Sequence, residues 1–342
     1  MRVSSHFSFS YHVFRNATLN WLQNKDMRKT YHLCLSAGNH GLLCRREEDY
    51  VRMVNCICIA ALRTETIVLA FAVMANHIHL CVRSYDQEKY MKTLRYMYTR
   101  YFNSKYHRRG RLGERSYFVL ELERLHHILT AIAYVLRNPL HHGISATPFG
   151  YAYTSANAIF RKVLGKTLPL ALERKNMYRY LPEPCGEIPS GYRMDVKGML
   201  FPDDIIDVSE VEHLFATPRS FLYYMNRLSG KQWEEEQRKD SSETIPVTLD
   251  DIEKGVNVQT IQEMLVAEHG KADYNAVSDI TTCQMIDDYI SEHCPGCRSV
   301  YDLPTESVQS IMRHLHIKYF LPKSQLLRCF PGLSRKNSAF FS

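Results

Sequence analysis

The stretch VMANHIHLCV, Val73 to Val82, places two histidines inside an otherwise apolar run. Together with the preceding run Thr66 to Ala75, it predicts two adjacent β-strands that pair as a hairpin. Side chains alternate across a strand, so His77 and His79 share one face while the apolar residues between and beside them share the other. The apolar face is expected to face the core, which leaves the two imidazoles together on the opposite face.

The segments around this hairpin alternate between strand and helix patterns. The order is strand, helix, strand, strand, helix, strand and helix, for Thr30–Ser36, Glu47–Leu62, Thr66–Ala75, Asn76–Arg83, Asp86–Tyr106, Ser116–Leu122 and Arg124–Arg137. The last helix is expected to stop at Asn138 and Pro139, because a residue before proline disfavours helical backbone. This order predicts an α+β fold in which an antiparallel sheet carries helices on one face.

The length and composition of the chain indicate a globular protein. Its 342 residues, 45% of them hydrophobic, suffice for a sizeable core and for more than one domain. No run of about 18 apolar residues occurs, so no membrane-spanning helix is expected. The first 29 residues lack the apolar core and cleavage site of a secretory signal. We therefore expect a cytoplasmic location and reduced thiols for the ten cysteines.

The net charge of +7 conceals a division between the two halves of the chain. Residues 1–166 hold 24 Lys and Arg against 10 Asp and Glu, a balance of +14, and residues 167–342 hold 19 against 26, a balance of −7. A strongly basic front half is typical of a surface that faces nucleic acid. The back half is expected to have another role.

Beyond about residue 166 the sequence changes in character. LPEPCGEIPSGY is a connection rich in proline and glycine, residues 209–236 are predicted as one long helix with an acidic end, KDSSETIP is a polar linker, and residues 249–294 are predicted to be helical. The predicted organisation is therefore an N-terminal extension (1–29), a first domain (30–166), a helical accessory region (167–300) and a C-terminal segment (301–342).

The C-terminal segment carries two further patterns. VQSIMRHLHIKYFLPKSQLLRCFPGLSRKNS has two short helical segments with a predicted turn at GLSR, which resembles a helix-turn-helix, with a plain helical hairpin as the alternative. HCPGC contains the pair Cys294 and Cys297, but a zinc site needs a second pair, and none has suitable spacing.

The histidine pair is half of a site for a divalent cation. An H-x-H pair alone is more often structural, so a third ligand is required. In the helix that ends at Asn138, one stripe of apolar residues predicts the core face: Leu125, Ile128, Leu129, Ile132 and Leu136. Tyr134 lies opposite this stripe, with Asn138 on the same side. A phenol and an amide oxygen are thus expected to face the histidines; the alternative is that Tyr134, one of 22 tyrosines, is merely exposed.

The motifs MANHIHLCV, GRLGERSYF and YVLRNPLHHGI, with a basic helix after the first, resemble those of the HUH single-tyrosine transposases. The similarity is strongest to the REP-associated tyrosine transposases of bacteria, and it covers about residues 30–155. It implies the HUH endonuclease fold, a ferredoxin-like antiparallel sheet with helices on one face, here followed by a mainly α-helical C-terminal extension. One departure is the sequence Leu140, His141, His142, where relatives usually have a valine and a basic residue.

The resemblance also implies a mechanism. In this mechanism His77 and His79 bind a divalent metal ion, which is Mg²⁺ or Mn²⁺. Asn138 occupies the place of a third ligand, and Tyr134 is the nucleophile. Attack on a phosphodiester would give a 5′-phosphotyrosine and a free 3′-OH, which conserves the bond for later rejoining. A phenol of pKa ~10 is a poor nucleophile at neutral pH, so the cation is needed to polarise the phosphate.

A basic segment between the two motifs predicts the DNA-binding surface. Basic groups contact phosphates and aromatic rings stack on unpaired bases, so single-stranded or hairpin (palindromic repeat) DNA fits better than plain duplex. No membrane partner is expected, and the chain is predicted to be a monomer or a homodimer. The nine basic residues, set against the single Glu114, are Lys89, Lys92, Arg95, Arg100, Lys105, Arg108, Arg109, Arg111 and Arg115.

The implied function is thus a transposase that cleaves and rejoins single-stranded or hairpin DNA. Two alternatives remain open from the sequence. A replication-initiator or relaxase nickase shares the histidine pair, although such enzymes usually place their tyrosine in a different chain context. A domesticated DNA-binding protein without cleavage activity is the second, and the joint presence of both histidines, Tyr134 and Asn138 argues against it.

Overall fold

The computed structural model describes residues 27–38, 41–142, 144–145, 147–183, 188–226 and 277–330. Most of the predicted N-terminal extension, the linker KDSSETIP and the turn at GLSR lie outside these residues. So do residues 227–276, which include the end of the predicted helix 209–236 and the start of the predicted helical region 249–294.

Four strands form one antiparallel sheet in the order β2-β3-β1-β4, so β1 and β3 are central. Each strand begins and ends within two residues of its predicted bounds, and the predicted α+β class is confirmed. The strands are β1 Lys29–Ser36, β2 Ile67–Val73, β3 His77–Ser84 and β4 Phe118–Glu121.

Helices connect the strands and make up the described part of the back half. The helices of two or more turns are α1 Glu47–Thr64, α2 Gln87–Lys105, α3 Leu125–His141, α4 Val208–Phe215, α5 Pro218–Asn226, α6 Asp279–His293, α7 Thr305–Tyr319 and α8 Lys323–Cys329. Single turns lie at Arg174–Met177, Tyr178–Tyr180, Pro202–Ile205 and Val300–Asp302. In the part of the chain that is described, no helix has the length and apolar character needed to cross a bilayer.

The helices are divided between the two faces of the sheet. Leu35 of β1 lines a small cavity with Met53 of α1 and Leu94 of α2, so these two helices cover the apolar face. Helix α3 covers the other face, where Tyr134 meets His79. The helices were expected on one face only. The histidine face is itself buried, and α3 is the element that covers it.

The edge of the sheet at β2 is closed by segments from later in the chain. Val73 N donates to Tyr153 O (2.9 Å), and Asp207 N donates to Val68 O (2.9 Å). Arg83 of β3 forms an ion pair with Glu210 of α4, and both side chains are largely buried. Residues after the predicted boundary at 166 therefore pack directly on this sheet.

Two helix boundaries differ from the predictions. Helix α3 does not stop before Pro139 but includes it and ends at His141. The proline removes one hydrogen bond of the helix, but the helix continues past it, and His142 N still donates to Asn138 O (3.0 Å). The predicted helix 209–236 is broken at Ala216, whose φ of 61° is left-handed, so that α4 and α5 are separate helices.

Residues 277–330 dock on the ends of α1 and α2. The Arg45 guanidinium, 1% exposed, donates to Cys329 O (2.6 Å) and to Asp287 of α6. Ser299 Oγ donates to Tyr106 O (2.7 Å). Helix α8 is separated from α7 by residues 320–322 and packs on α6, so the turn between the two described helices precedes the predicted GLSR. A helix-turn-helix role for this unit stays a prediction.

Candidate active site

The two histidines of the H-x-H pair lie side by side on β3 and are completely buried. The ring centroids of His77 and His79 are 5.0 Å apart, and neither side chain is exposed. The shared face predicted from strand alternation is therefore present. The expectation that this face lies away from the interior is wrong, because α3 covers it.

Both ring nitrogens of His77 face amide oxygens. Nδ1 is 2.7 Å from Asn76 Oδ1, and Nε2 is 3.0 Å from Asn138 Oδ1. A neutral imidazole carries one N–H and can donate to only one of these two acceptors. With the proton on Nδ1, which makes the shorter contact, Nε2 carries the lone pair and lies beside the Asn138 amide.

His79 is held by a third histidine from the neighbouring strand. Its Nδ1 lies 3.0 Å from Nε2 of His32, and the two rings are nearly coplanar, with centroids 5.2 Å apart and an interplanar angle of 12°. The other nitrogen of His79, Nε2, is buried and has no hydrogen-bond partner among the described residues. This atom is therefore available to a ligand.

Burial keeps these imidazoles neutral. Desolvation lowers the pKa of His32 to about 3 and that of His77 to about 4, the latter partly offset by the hydrogen bond with Asn138. It also lowers the pKa of His79 well below its usual value. A neutral imidazole has the free lone pair that binding to a metal ion requires.

Tyr134 points at the histidines from α3. Its ring lies 5.3 Å from that of His79 and 5.9 Å from that of His32, edge to face in both cases. The residue is 5% exposed but lies outside the cluster of buried hydrophobic residues. Tyr134 therefore points toward the histidines, as predicted, and it is not an exposed surface tyrosine. Asn138, one turn later, is completely buried and contacts His77.

Two further histidines at the end of α3 adjoin the site. The ring of His142 is 5.1 Å from that of His77, and both of its nitrogens are buried without a hydrogen-bond partner among the described residues. The ring of His141, which is half-buried, is 6.0 Å from that of Tyr134. The departure from the family pattern at these two positions therefore lies beside the candidate nucleophile.

The residues present fit a divalent cation. His79 Nε2 has no hydrogen-bond partner among the described residues, and His77 Nε2 lies 3.0 Å from Asn138 Oδ1. Imidazole nitrogens and an amide oxygen are donors that a divalent cation would accept. Within the described ranges no group of three His, Cys, Asp or Glu side chains is arranged to hold a metal. Asn138 Oδ1, which contacts His77, is the amide oxygen predicted as the third ligand.

The nine basic residues predicted to bind DNA do not share one environment. Lys105 Nζ is 2.7 Å from the buried carboxylate of Asp49. Arg95 donates to backbone oxygens of the loop before β4, and Arg108 donates to Asn103 Oδ1 (2.8 Å). These three side chains are engaged within the fold. The other six have exposed side chains: Lys89, Lys92, Arg100, Arg109, Arg111 and Arg115.

The loop between α2 and β4 brings part of this basic segment to the histidine end of the sheet. Glu114 N donates to Ser36 O (2.9 Å), and Ser36 pairs with His77 across β1 and β3. Arg111 and Arg115 flank this contact. Among the exposed basic residues, these two have the clearest structural connection to the candidate site.

Sequence reasoning missed His32 and assigned no role to Asn76. The signal for His32 was present, since it lies on a predicted strand in YHLCLS. Its position beside His79 depends on the register that pairs His32 with Cys81 and Cys34 with His79. A shift of one residue would have put His32 on the apolar face, and local sequence does not determine that register.

The antiparallel sheet carries the H-x-H pair on a central strand and is faced by a helix with a tyrosine and, four residues later, an asparagine. This is the arrangement that the resemblance to the HUH single-tyrosine transposases implied. Residues 27–138, about a third of the chain, match the family described as "Transposase IS200 like". This match agrees with the family that the sequence motifs predicted for the same region. The matched region includes both histidines, Tyr134 and Asn138.

A solved structure described as "Structure of the REP associates tyrosine transposase bound to a REP hairpin" is also similar to this chain. The similarity covers 47% of this chain and 92% of that chain, at 13% sequence identity and a TM-score of 0.32. No curated protein matches the chain in sequence.

Proposed function

We propose that this transposase cleaves and rejoins single-stranded or hairpin DNA through a 5′-phosphotyrosine on Tyr134. A divalent ion, Mg²⁺ or Mn²⁺, is held by His77, His79 and Asn138. The observation that carries the proposal is the pair of electron-rich atoms, His77 Nε2 and Asn138 Oδ1, which face each other at 3.0 Å. A cation at this contact would be held by the ring nitrogen of His77 and the amide oxygen of Asn138 together.

The proposed reaction begins with attack by Tyr134. The Tyr134 hydroxyl loses its proton and attacks phosphorus, the bond from phosphorus to the 3′ oxygen breaks, and that oxygen takes up a proton as the new 3′-OH. When bound, the ion polarises the phosphate and stabilises the charge that develops on its oxygens. Rejoining reverses these steps without a further energy source.

The position of Tyr134 adds one requirement. Tyr134 is only 5% exposed, so the phosphodiester would have to enter a recessed site to reach it. The backbone of a single strand or a hairpin end is free to bend so that one phosphate enters such a site, whereas the backbone of a continuous duplex is not. The exposed arginines Arg111 and Arg115, beside the histidine end of the sheet, would supply phosphate contacts outside it.

The test is formation of a covalent adduct. Full-length protein is incubated with end-labelled hairpin DNA and Mn²⁺, and the adduct is detected as a band that survives denaturing electrophoresis. Tyr134→Phe should abolish it, because the ring remains and the attacking oxygen is lost. Tyr151→Phe is the matched control: Tyr151 is a second tyrosine with a structural hydrogen bond, from its hydroxyl to Val73 O (2.7 Å), and its loss should leave the adduct intact.

Three outcomes separate the alternatives. An adduct that persists in Tyr134→Phe would assign the nucleophile to another residue. Hairpin binding without any adduct, at all divalent ions tried, would support a domesticated DNA-binding protein. Nicking of a continuous duplex in preference to single strands would support a relaxase-like enzyme.

A further inference from the structure

Each of the two metal-binding imidazoles has a buried partner on its Nδ1 atom. Asn76 Oδ1 lies 2.7 Å from Nδ1 of His77, and Nε2 of His32 lies 3.0 Å from Nδ1 of His79. The neighbour of His77 in sequence supplies the first partner, whereas the second comes from β1. Both arrangements leave Nε2 as the nitrogen that faces the centre of the site.

We propose that His32 is a positioning residue that fixes the proton of His79 on Nδ1 and so reserves Nε2 of His79 for the metal ion. This inference rests on the proposed function, because it assigns a role toward the same ion. A ligand histidine usually donates its second N–H to a fixed acceptor, which sets both its tautomer and its orientation. Here that acceptor is another imidazole.

The contacts of His32 favour a role through His79 over a role as a ligand. Its Nε2 is already engaged with His79, and no three-histidine arrangement within the described residues is suited to a metal. The nearly parallel rings of His32 and His79 have centroids 5.2 Å apart. The ring of Tyr134 lies edge-on to His32 at 5.9 Å between centroids. His32 therefore acts through His79, not on the ion.

The orientation of the hydrogen bond decides the function of the pair. If His32 donated from Nε2 to His79 Nδ1, the proton of neutral His79 would lie on its Nε2, and that atom would be closed to a cation. If His79 donates, its Nε2 keeps a lone pair, which is consistent with its burial without a partner among the described residues. The choice between the two tautomers is therefore a choice between a closed and an open metal site.

The experiment compares Mn²⁺ affinity in the full-length protein and three variants, without DNA, by titration calorimetry or by the free-Mn²⁺ EPR signal. His32→Phe keeps an aromatic ring but removes the Nε2 acceptor, and we expect a loss of ~10–100-fold in Mn²⁺ affinity. His32→Gln offers a carbonyl oxygen as a substitute acceptor and should recover part of that loss. His127→Phe, the same change at a half-buried histidine near the start of α3, is the control and should bind as the parent does.

A measurement on the unaltered protein covers the case in which His32→Phe does not fold. Imidazole ¹⁵N NMR should show His79 protonated on Nδ1 when Mg²⁺ is bound. A proton on Nε2 of His79, or equal Mn²⁺ affinity in His32→Phe and the parent, would overturn the role of His32 alone. Failure of the parent protein to bind Mn²⁺ or Mg²⁺ would instead overturn the proposed metal site, and this inference with it.

Discussion

Replacement of Asn138 by leucine separates its role as a metal ligand from a structural role. Leucine has nearly the same size and removes the amide oxygen that faces His77 Nε2 at 3.0 Å. It also removes Asn138 Nδ2, which is buried without a hydrogen-bond partner among the described residues. Without metal, we expect a free energy of unfolding equal to that of the parent, or higher by up to about 1 kcal/mol, because the variant buries fewer unsatisfied groups.

With metal the order should reverse. An ion at 100 times its Kd stabilises the parent protein by about 2.7 kcal/mol, which raises Tm by roughly 5–11 °C at about 2–4 °C per kcal/mol. If the loss of one of three protein ligands weakens binding by about 100-fold, the same concentration is then equal to Kd. The stabilisation falls to about 0.4 kcal/mol, or roughly 1–2 °C.

Asn55→Leu is the matched control, because Asn55 is also an asparagine with no exposed surface. Its amide bonds the backbone at Tyr180 O (3.1 Å), Gly198 O (2.8 Å) and Leu200 N (2.9 Å), and leucine would leave these groups unpaired. This variant should unfold at lower temperature with or without metal and keep the full metal-induced shift. Thermal unfolding by circular dichroism, with EDTA and with Mn²⁺, measures both quantities. A large loss of stability in metal-free Asn138→Leu together with an unchanged metal shift would refute the assignment of Asn138 as a ligand.

Three other outcomes follow from the structure. Alanine at Arg111 and Arg115 together should weaken hairpin binding and lower the slope of log K against log salt by about 2, one per phosphate contact, which a titration from low to high salt would show. Lys105→Met should instead lower the free energy of unfolding by on the order of 1–2 kcal/mol with little change in that slope, because Lys105 is paired with buried Asp49. A chain that ends at residue 166 should aggregate, since it exposes the β2 edge and removes Glu210, the partner of Arg83, whereas the full-length chain should stay soluble, as gel filtration would establish.

Features that depend on short-range periodicity could be predicted from the sequence. Strand alternation placed His77 and His79 on one face, and the helical repeat put Tyr134 and Asn138 on one side of α3, because both patterns depend on residues two to four positions apart. The same reasoning failed at Pro139, where it predicted the end of α3. The rule about residues before proline describes an average cost, and in the last turn the contact of Asn138 with His77 and the bond from His142 N offset it.

Burial of the site could not be inferred in this way. Sequence periodicity showed that one face of β3 is polar, and a polar face is normally a solvated one. Here it is covered by α3, and the edge of the sheet beside it is closed by residues 153–155 and 206–207, which are distant in sequence. Long-range packing of this kind leaves no local pattern, so the full burial of His79 and its contact with His32 became visible only in the structure.

The unpaired polar atoms of this region are concentrated around the candidate site. His79 Nε2, His32 Nδ1, Asn138 Nδ2 and both nitrogens of His142 are buried without a partner among the described residues. A half-satisfied polar network is costly in an apolar interior, and a core built for stability alone would replace it with hydrophobic residues. Its presence between α3 and the sheet is consistent with a site that an ion and a phosphate complete, at a cost to the stability of the free protein. The expected gain in stability of metal-free Asn138→Leu tests this same trade-off, since that variant removes polar atoms that are useful only when the ion is bound.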